Sequence, residues 1–127
     1  MASGATTSIR QAAVAGLFYP DEADGLRVAV MGYLRDAQMD VEREGRAPKA
    51  LIVPHAGYIY SDPVAASAYV HLSSAAESIR RVVLLGPAHR LPFEGLALPG
   101  ARGFETPLGI VPVDGQAVER IAHLPQV

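Results

Sequence analysis

The chain predicts an α/β domain with a central, largely parallel sheet and flanking helices, and three observations carry that expectation. Two short apolar runs, Lys49–Pro54 and Arg81–Gly86, each hold four consecutive apolar residues. A strand of that composition has no polar face, which is the pattern of a strand buried on both sides. Between the runs lies an alanine-rich stretch of helical length, Val64 to Leu72. Strand, helix, strand in that order is a right-handed crossover, and a crossover makes its two strands parallel. Each run then passes to a loop that carries one imidazole, His55 after the first and His89 after the second. The edge beyond the carboxyl ends of parallel strands is where open α/β sheets hold their ligands.

The remaining elements follow in order. Residues 1–8 are small and polar and read as a disordered leader. Residues 9–20 are apolar but aperiodic, end at Pro20, and send Phe18 and Tyr19 to the core. Asp21 is placed to cap a helix on which Leu26, Val30, Tyr33, Leu34 and Ala37 recur at helical spacing. Gly25 and Gly32 each weaken that helix by about 1 kcal/mol relative to alanine, so tertiary packing must hold it. Asp40 to Pro48 is charged and reads as a surface connection. Asp62 followed by Pro63 marks the start of the crossover helix, with aspartate as cap and proline in the first turn. Ser73 to Ser78 turns the chain back toward the second run. Gly95 to Leu98 is a short strand candidate and Pro99 to Gly103 a turn. Phe104 to Gly109 leads into a strand at Ile110 to Val113. Asp114 caps a last helix, Gln116 to His123, with Val118 and Ile121 turned inward.

Composition narrows the function classes. A chain of 127 residues is one ordinary domain. Hydrophobic residues make up 50%, enough for a packed core. Lysine and arginine number 11 against 13 acidic residues, with no basic block, so nothing points to nucleic acid. Cysteine is absent, which removes disulfides, thiolate ligands and a cysteine nucleophile from this chain. No apolar stretch reaches the ~18 residues of a membrane span, and the N-terminus lacks the pattern of a signal peptide, so the expected location is cytoplasmic. There is no Gly-x-Ser-x-Gly elbow for a serine hydrolase and no Walker arrangement around Gly86 to His89 for phosphate.

Neighbouring parallel strands lie ~4.8 Å apart. Imidazoles at two nearby strand ends could share one metal ion at ~2.1 Å each. Without a metal, the same rings suit acid and base work near neutral pH. The plainer alternative is a pair of loop histidines bonded to backbone. Tyr58 and Tyr60 flank the first loop and read either as pocket residues offering a hydroxyl or as packing residues. Gly57 suits a tight turn or a close backbone approach. His71 and His123 each close a helix, where the dipole favours them, and neither is expected to be a ligand.

Four segments together resemble one family. They are Ala15-Gly-Leu-Phe-Tyr-Pro20, Pro54-His-Ala-Gly-Tyr-Ile-Tyr-Ser61, Leu84-Leu-Gly-Pro-Ala-His89 and Glu105-Thr-Pro-Leu-Gly109. Their order and spacing are similar to those of the Memo-like proteins, also called AmmeMemoRadiSam system protein B. The resemblance implies an α/β fold similar to the class III extradiol dioxygenases, which use non-haem iron(II). It matches His55 and His89 to the family's first two metal-site histidines and associates the chain with iron or copper and with redox chemistry. Glu105, the only acid close to one of these motifs, could serve as a third, oxygen ligand in a two-histidine, one-carboxylate set, but a surface carboxylate before a strand is the favoured reading. A radical-SAM protein and a third protein family are the partners that the family's name implies. Asp62 stands where the family usually has glycine, and Ala88 where it usually has serine. The family extends beyond Val127, so residues 9–127 resemble the N-terminal half of a Memo-like domain, apparently truncated and holding at most half of the metal site.

The leading expectation is a metal-binding redox protein, of oxygenase type when full length, with Tyr58, Tyr60 and Gly57 near the substrate. Fold analogy alone does not establish ring cleavage or even that the chain is an enzyme. The alternative is a non-catalytic module that holds a small molecule, a peptide or a partner protein in the strand-end crevice. A third reading is self-association through an exposed sheet edge.

Overall fold

Helical periodicity in residues 26–37 becomes a helix because its apolar stripe finds another helix to pack on. The computed structural model describes residues 8–40 and 46–127. Residues 1–7 of the expected leader and residues 41–45 of the expected connection lie outside the described residues. The chain divides into two compact units, Val14–Val83 and the segments Met1–Ala13 with Leu84–Val127.

In the first unit, α1 spans Ala23–Asp40 and α2 spans Tyr58–Tyr69, followed by a 3-10 turn at Val70–Leu72. α1 packs on α2. Leu26 is buried, and Ala37 joins Ala66 and Val70 in a core flanked by Tyr33 and Leu34. Alanine at 37, 65 and 66 keeps the buried side chains small, so the helix backbones can approach closely. Met31 and Met39 lie on the exposed face of α1, where no core requires them. Asp24 sits in the first turn of α1, where the helix dipole favours an acid. Asp21 lies two residues before that turn, and Glu22 supplies the carbonyl that accepts from the Leu26 N–H at 2.9 Å.

The second helix corrects the expected boundary. It begins at Tyr58, not Val64, and Pro63 lies inside it. Asp62 is therefore not its cap. The reason lies in backbone satisfaction at the helix start, where the first amides have no partner within the helix. Here the Tyr58 N–H donates to the Phe18 carbonyl at 2.8 Å. Ser61, buried at 3% exposure, accepts from the Ala56 N–H through its hydroxyl at 2.7 Å. These contacts fix the entry of the chain before the proline is reached.

The second unit holds a three-stranded sheet in the order β1-β2-β3, with β1 at Ile9–Arg10, β2 at Gly103–Thr106 and β3 at Gly109–Pro112. β1 is parallel to β2, with Ile9 opposite Gly103. β2 and β3 form an antiparallel hairpin, with Thr106 opposite Gly109. The Thr106 hydroxyl closes the turn by donating to the Gly109 carbonyl at 2.8 Å, and Gly109 adopts φ 124, which favours glycine. The Arg10 guanidinium lies over the Phe104 ring, 5.8 Å from its centroid. Asp114 caps α3, Gly115–Ile121, as its sequence position implied, and its side chain accepts from the Ala117 N–H at 3.0 Å. Ile121, expected inside, is exposed.

The α/β class holds, but the central, largely parallel sheet is replaced by this small mixed one. Lys49–Pro54, Arg81–Gly86 and Gly95–Leu98 form no strand. Ile52 is 100% exposed, and Val82, Val83, Leu84 and Leu85 are 75% to 85% exposed. Strand propensity describes side chains suited to a covered pleat, and a strand exists only when another backbone takes its amides and carbonyls. Among the described residues no strand pairs with these runs. Phe18, expected in the core, is 48% exposed, and its carbonyl accepts from the first amide of α2.

Candidate functional site

The loop that carries His55 is held from both sides. Its amide at Ala56 bonds to buried Ser61, and the next turn is tied by Tyr60 N–H and Ser61 N–H to the Gly57 carbonyl, at 2.9 and 3.1 Å. Gly57 is the N-cap residue of α2 at φ -58, a conformation open to any residue, so its use here is not a left-handed turn. His55 is exposed, three residues before the first helical tyrosine. Tyr60 is 77% exposed on the first turn of α2.

Tyr58 differs from Tyr60. Its ring is half-buried against Tyr19, with centroids 5.5 Å apart and planes tilted by 40°. Burial raises its phenol pKa above the ordinary value, and the nearby Asp62 carboxylate, Tyr19 and Tyr69 push in the same direction. Burial also raises Asp62 above the ordinary carboxylate value. The start of α2 thus gathers a phenol that keeps its proton and a carboxyl that releases its own less readily than usual. A protonated phenol can donate a hydrogen bond to an oxygen of a bound molecule. The sequence pointed to Tyr58. Ser61, which holds the loop, was missed, because a serine inside a helix is ordinary until its backbone partner is known.

His89 and Glu105 belong to the other unit. His89 lies in an irregular bend and is exposed. Glu105 is exposed on β2, opposite Ile110 on β3. His71 falls in the 3-10 turn. His123 follows α3 and, with Gln116, Glu119 and Arg120, borders a shallow open surface. Among the described residues, no three His, Cys, Asp or Glu side chains gather into a group able to hold a metal ion. The described residues therefore do not make a complete metal site. No helix among them is long and apolar enough to cross a membrane.

Residues 10–127 match the family described as Memo-like protein. A MEMO1 family protein of Aquifex aeolicus is 38% identical over 118 residues, covering 92% of this chain and 41% of the relative. One from Thermotoga neapolitana is 40% identical over 122 residues, covering 87% and 42%. One from Methanocaldococcus jannaschii is 38% identical over 119 residues, covering 89% and 41%. The chain spans about two fifths of the length of these curated relatives. The match carries the Pro54-His-Ala-Gly-Tyr58 loop and the His89 loop within it, and on these grounds the chain belongs to the Memo-like protein family.

Proposed function

We propose that this chain is part of a Memo-like redox protein that binds a non-haem iron or copper ion, of oxygenase type in its full-length form, with His55 and His89 as two of the ligands. The observation that carries the reading is the His55 loop, in which an exposed imidazole is followed at once by an amide pinned to buried Ser61. A ligand on a pinned loop loses little freedom on binding. The remaining donors come from outside the described residues, since those residues hold no group of three. Glu105 is a candidate only if further chain brings an ion to β2. When bound, such a metal supplies electron transfer and oxygen activation. This chain's own residues orient and protect. Tyr58, kept protonated, donates to an oxygen of the substrate, while Tyr60 and Gly57 border the same turn. In the same proposal we set the chain in the cytoplasm, beside the radical-SAM protein and the third protein family that the resemblance implies as partners.

Anaerobic titration with iron(II), and separately copper(I), tests this in the parent, His55→Ala and His89→Ala chains. Metal is measured by elemental analysis after desalting. Metal held by the parent at less than one equivalent, because its donor set is incomplete, and falling by half or more in each variant is the expected result. Metal retained equally by both variants would remove the two histidines from the site. A folded parent that keeps none, yet binds a peptide or partner independently of both histidines, favours the non-catalytic module.

A further inference from the structure

The helix α1 buries one face and leaves the other in water. Within the unit Val14–Val83, Leu26 and Ala37 are buried, Tyr33 and Leu34 pack on the same core as Ala37, and the helix packs on α2. At about 100° per residue, the opposite face carries Asp24, Val28, Met31, Arg35 and Gln38. All five are exposed, Val28 at 72%, Met31 at 62% and the Arg35 side chain at 78%. They follow one another at steps of four, three, four and three residues. That is the heptad step of a helix face that meets a second helix. The row is apolar at its centre, Val28 and Met31, and opposite in charge on either side, with Asp24 before and Arg35 after. Arg35 reaches Asp36 at 3.6 Å, but that pair is exposed and contributes little.

We propose that this face of α1 binds a second copy of the same chain, helix against reversed helix, as a weak two-fold dimer. The order of the charges selects that occupant. With the two-fold axis between Val28 and Met31, Val28 faces Met31 of the second copy and Met31 faces its Val28. One turn further out, Asp24 faces Arg35 at one end and Arg35 faces Asp24 at the other. The row is therefore complementary to its own reversed copy, as a two-fold interface requires. A parallel pair sets Asp24 against Asp24 and Arg35 against Arg35, and like charges repel at both ends. The dimer is weak because the seam is short. α1 has 18 residues, a length of ~27 Å. One such seam covers less than the ~800 Å² per partner of an ordinary stable interface. The dimer stands independently of any metal at His55 and His89.

Sedimentation equilibrium of the 127-residue chain tests this, in low salt with a chelator. From about 10 μM to about 1 mM, the mass should rise from one copy toward two. Asp24→Arg and Arg35→Asp should each weaken the dimer by about tenfold, and the chain carrying both changes should regain it. Met31→Asp should abolish it, while Ile52→Asp, at a fully exposed site outside α1, should leave it intact. Circular dichroism checks that each variant keeps its helices. Orientation is read without any change to the seam, because the chain has no cysteine and a spin label can be placed at Met39→Cys alone. Reversed helices hold the two labelled backbones about 30 Å apart, and parallel ones about 10 Å. Four results would overturn the proposal: a mass of one copy up to about 1 mM, association that ignores both charge reversals in folded chains, reversals that the double variant does not rescue, and labels about 10 Å apart. A single copy throughout would leave the face to solvent or to a different protein.

Discussion

The rings of Tyr19 and Tyr58 meet at 5.5 Å between centroids, tilted by 40°, and tie the segment before α1 to the first residue of α2. The backbone repeats the link, because the Tyr58 N–H donates to the carbonyl of Phe18. A double-mutant cycle with Tyr19→Leu and Tyr58→Leu should give a coupling of ~0.5–1.5 kcal/mol in denaturant unfolding. Strictly additive losses would mean that the rings do not support one another.

Tyr58 should make stability fall at alkaline pH. Its pKa in the folded chain lies above the ordinary 10.0, so the folded state holds this proton more tightly than the unfolded state. The contribution is fully present below the unfolded value and is lost as pH rises through the folded one. Tyr58→Phe should flatten that decline, and a phenolate titration should show one of the five tyrosines ionising late. An unchanged alkaline profile in Tyr58→Phe would reject the assignment.

Asp62 should act with the same sign in acid. Burial raises its carboxyl pKa, so its contribution is present below the ordinary value of 3.8 and is lost as pH rises through the folded value. Asp62→Asn should therefore gain stability relative to the parent at neutral pH and less in strong acid. The same substitution removes a charge that raises Tyr58, so Tyr58 should ionise earlier. Thermal unfolding across pH, with the phenolate titration, reads both effects.

Ser61→Ala should loosen the His55 loop without breaking α2. The change removes the side-chain acceptor of the Ala56 N–H, and because Ala56 is itself exposed and water can replace the hydroxyl, the cost is about 0.5–1.5 kcal/mol. Amide exchange at Ala56 should accelerate, while amides late in α2 stay protected. Uniform acceleration along the helix would instead mean that Ser61 supports the whole packing of the unit.

Gly103→Ala should destabilise the mixed sheet. A Cβ there would lie 2.9 Å from Cγ2 of Ile110 and 3.2 Å from both Cδ1 of Ile9 and the Val111 carbonyl oxygen. Overpacking of this kind costs about 1–3 kcal/mol. Ile110→Ala removes the nearest atom and should restore part of the loss, because Ile110 is itself 58% exposed and contributes little burial. If the double variant is no better than Gly103→Ala alone, the crowding lies with Ile9 and the Val111 backbone.

What the sequence determined by itself is what depends on near neighbours along the chain. The spacing of Leu26, Tyr33, Leu34 and Ala37 marks α1, because helical faces are set by positions three and four apart. Asp114 marks the start of α3, because a cap acts across three residues. The order of four short motifs marks the family. Tertiary structure decided what depends on distant partners. Val82 to Leu85 has the composition of a strand, but a strand needs a second backbone, and none of the described strands takes it. α2 starts at Tyr58 because the Phe18 carbonyl and the Ser61 hydroxyl receive amides there, and the Asp62-Pro63 signal carries no information about either. β1 pairs with β2 across more than ninety residues, and Gly103 is required there because Ile9 and Ile110 crowd it from two strands. Local rules fix where a segment can bend or coil, while pairing and burial are properties of whatever lies opposite.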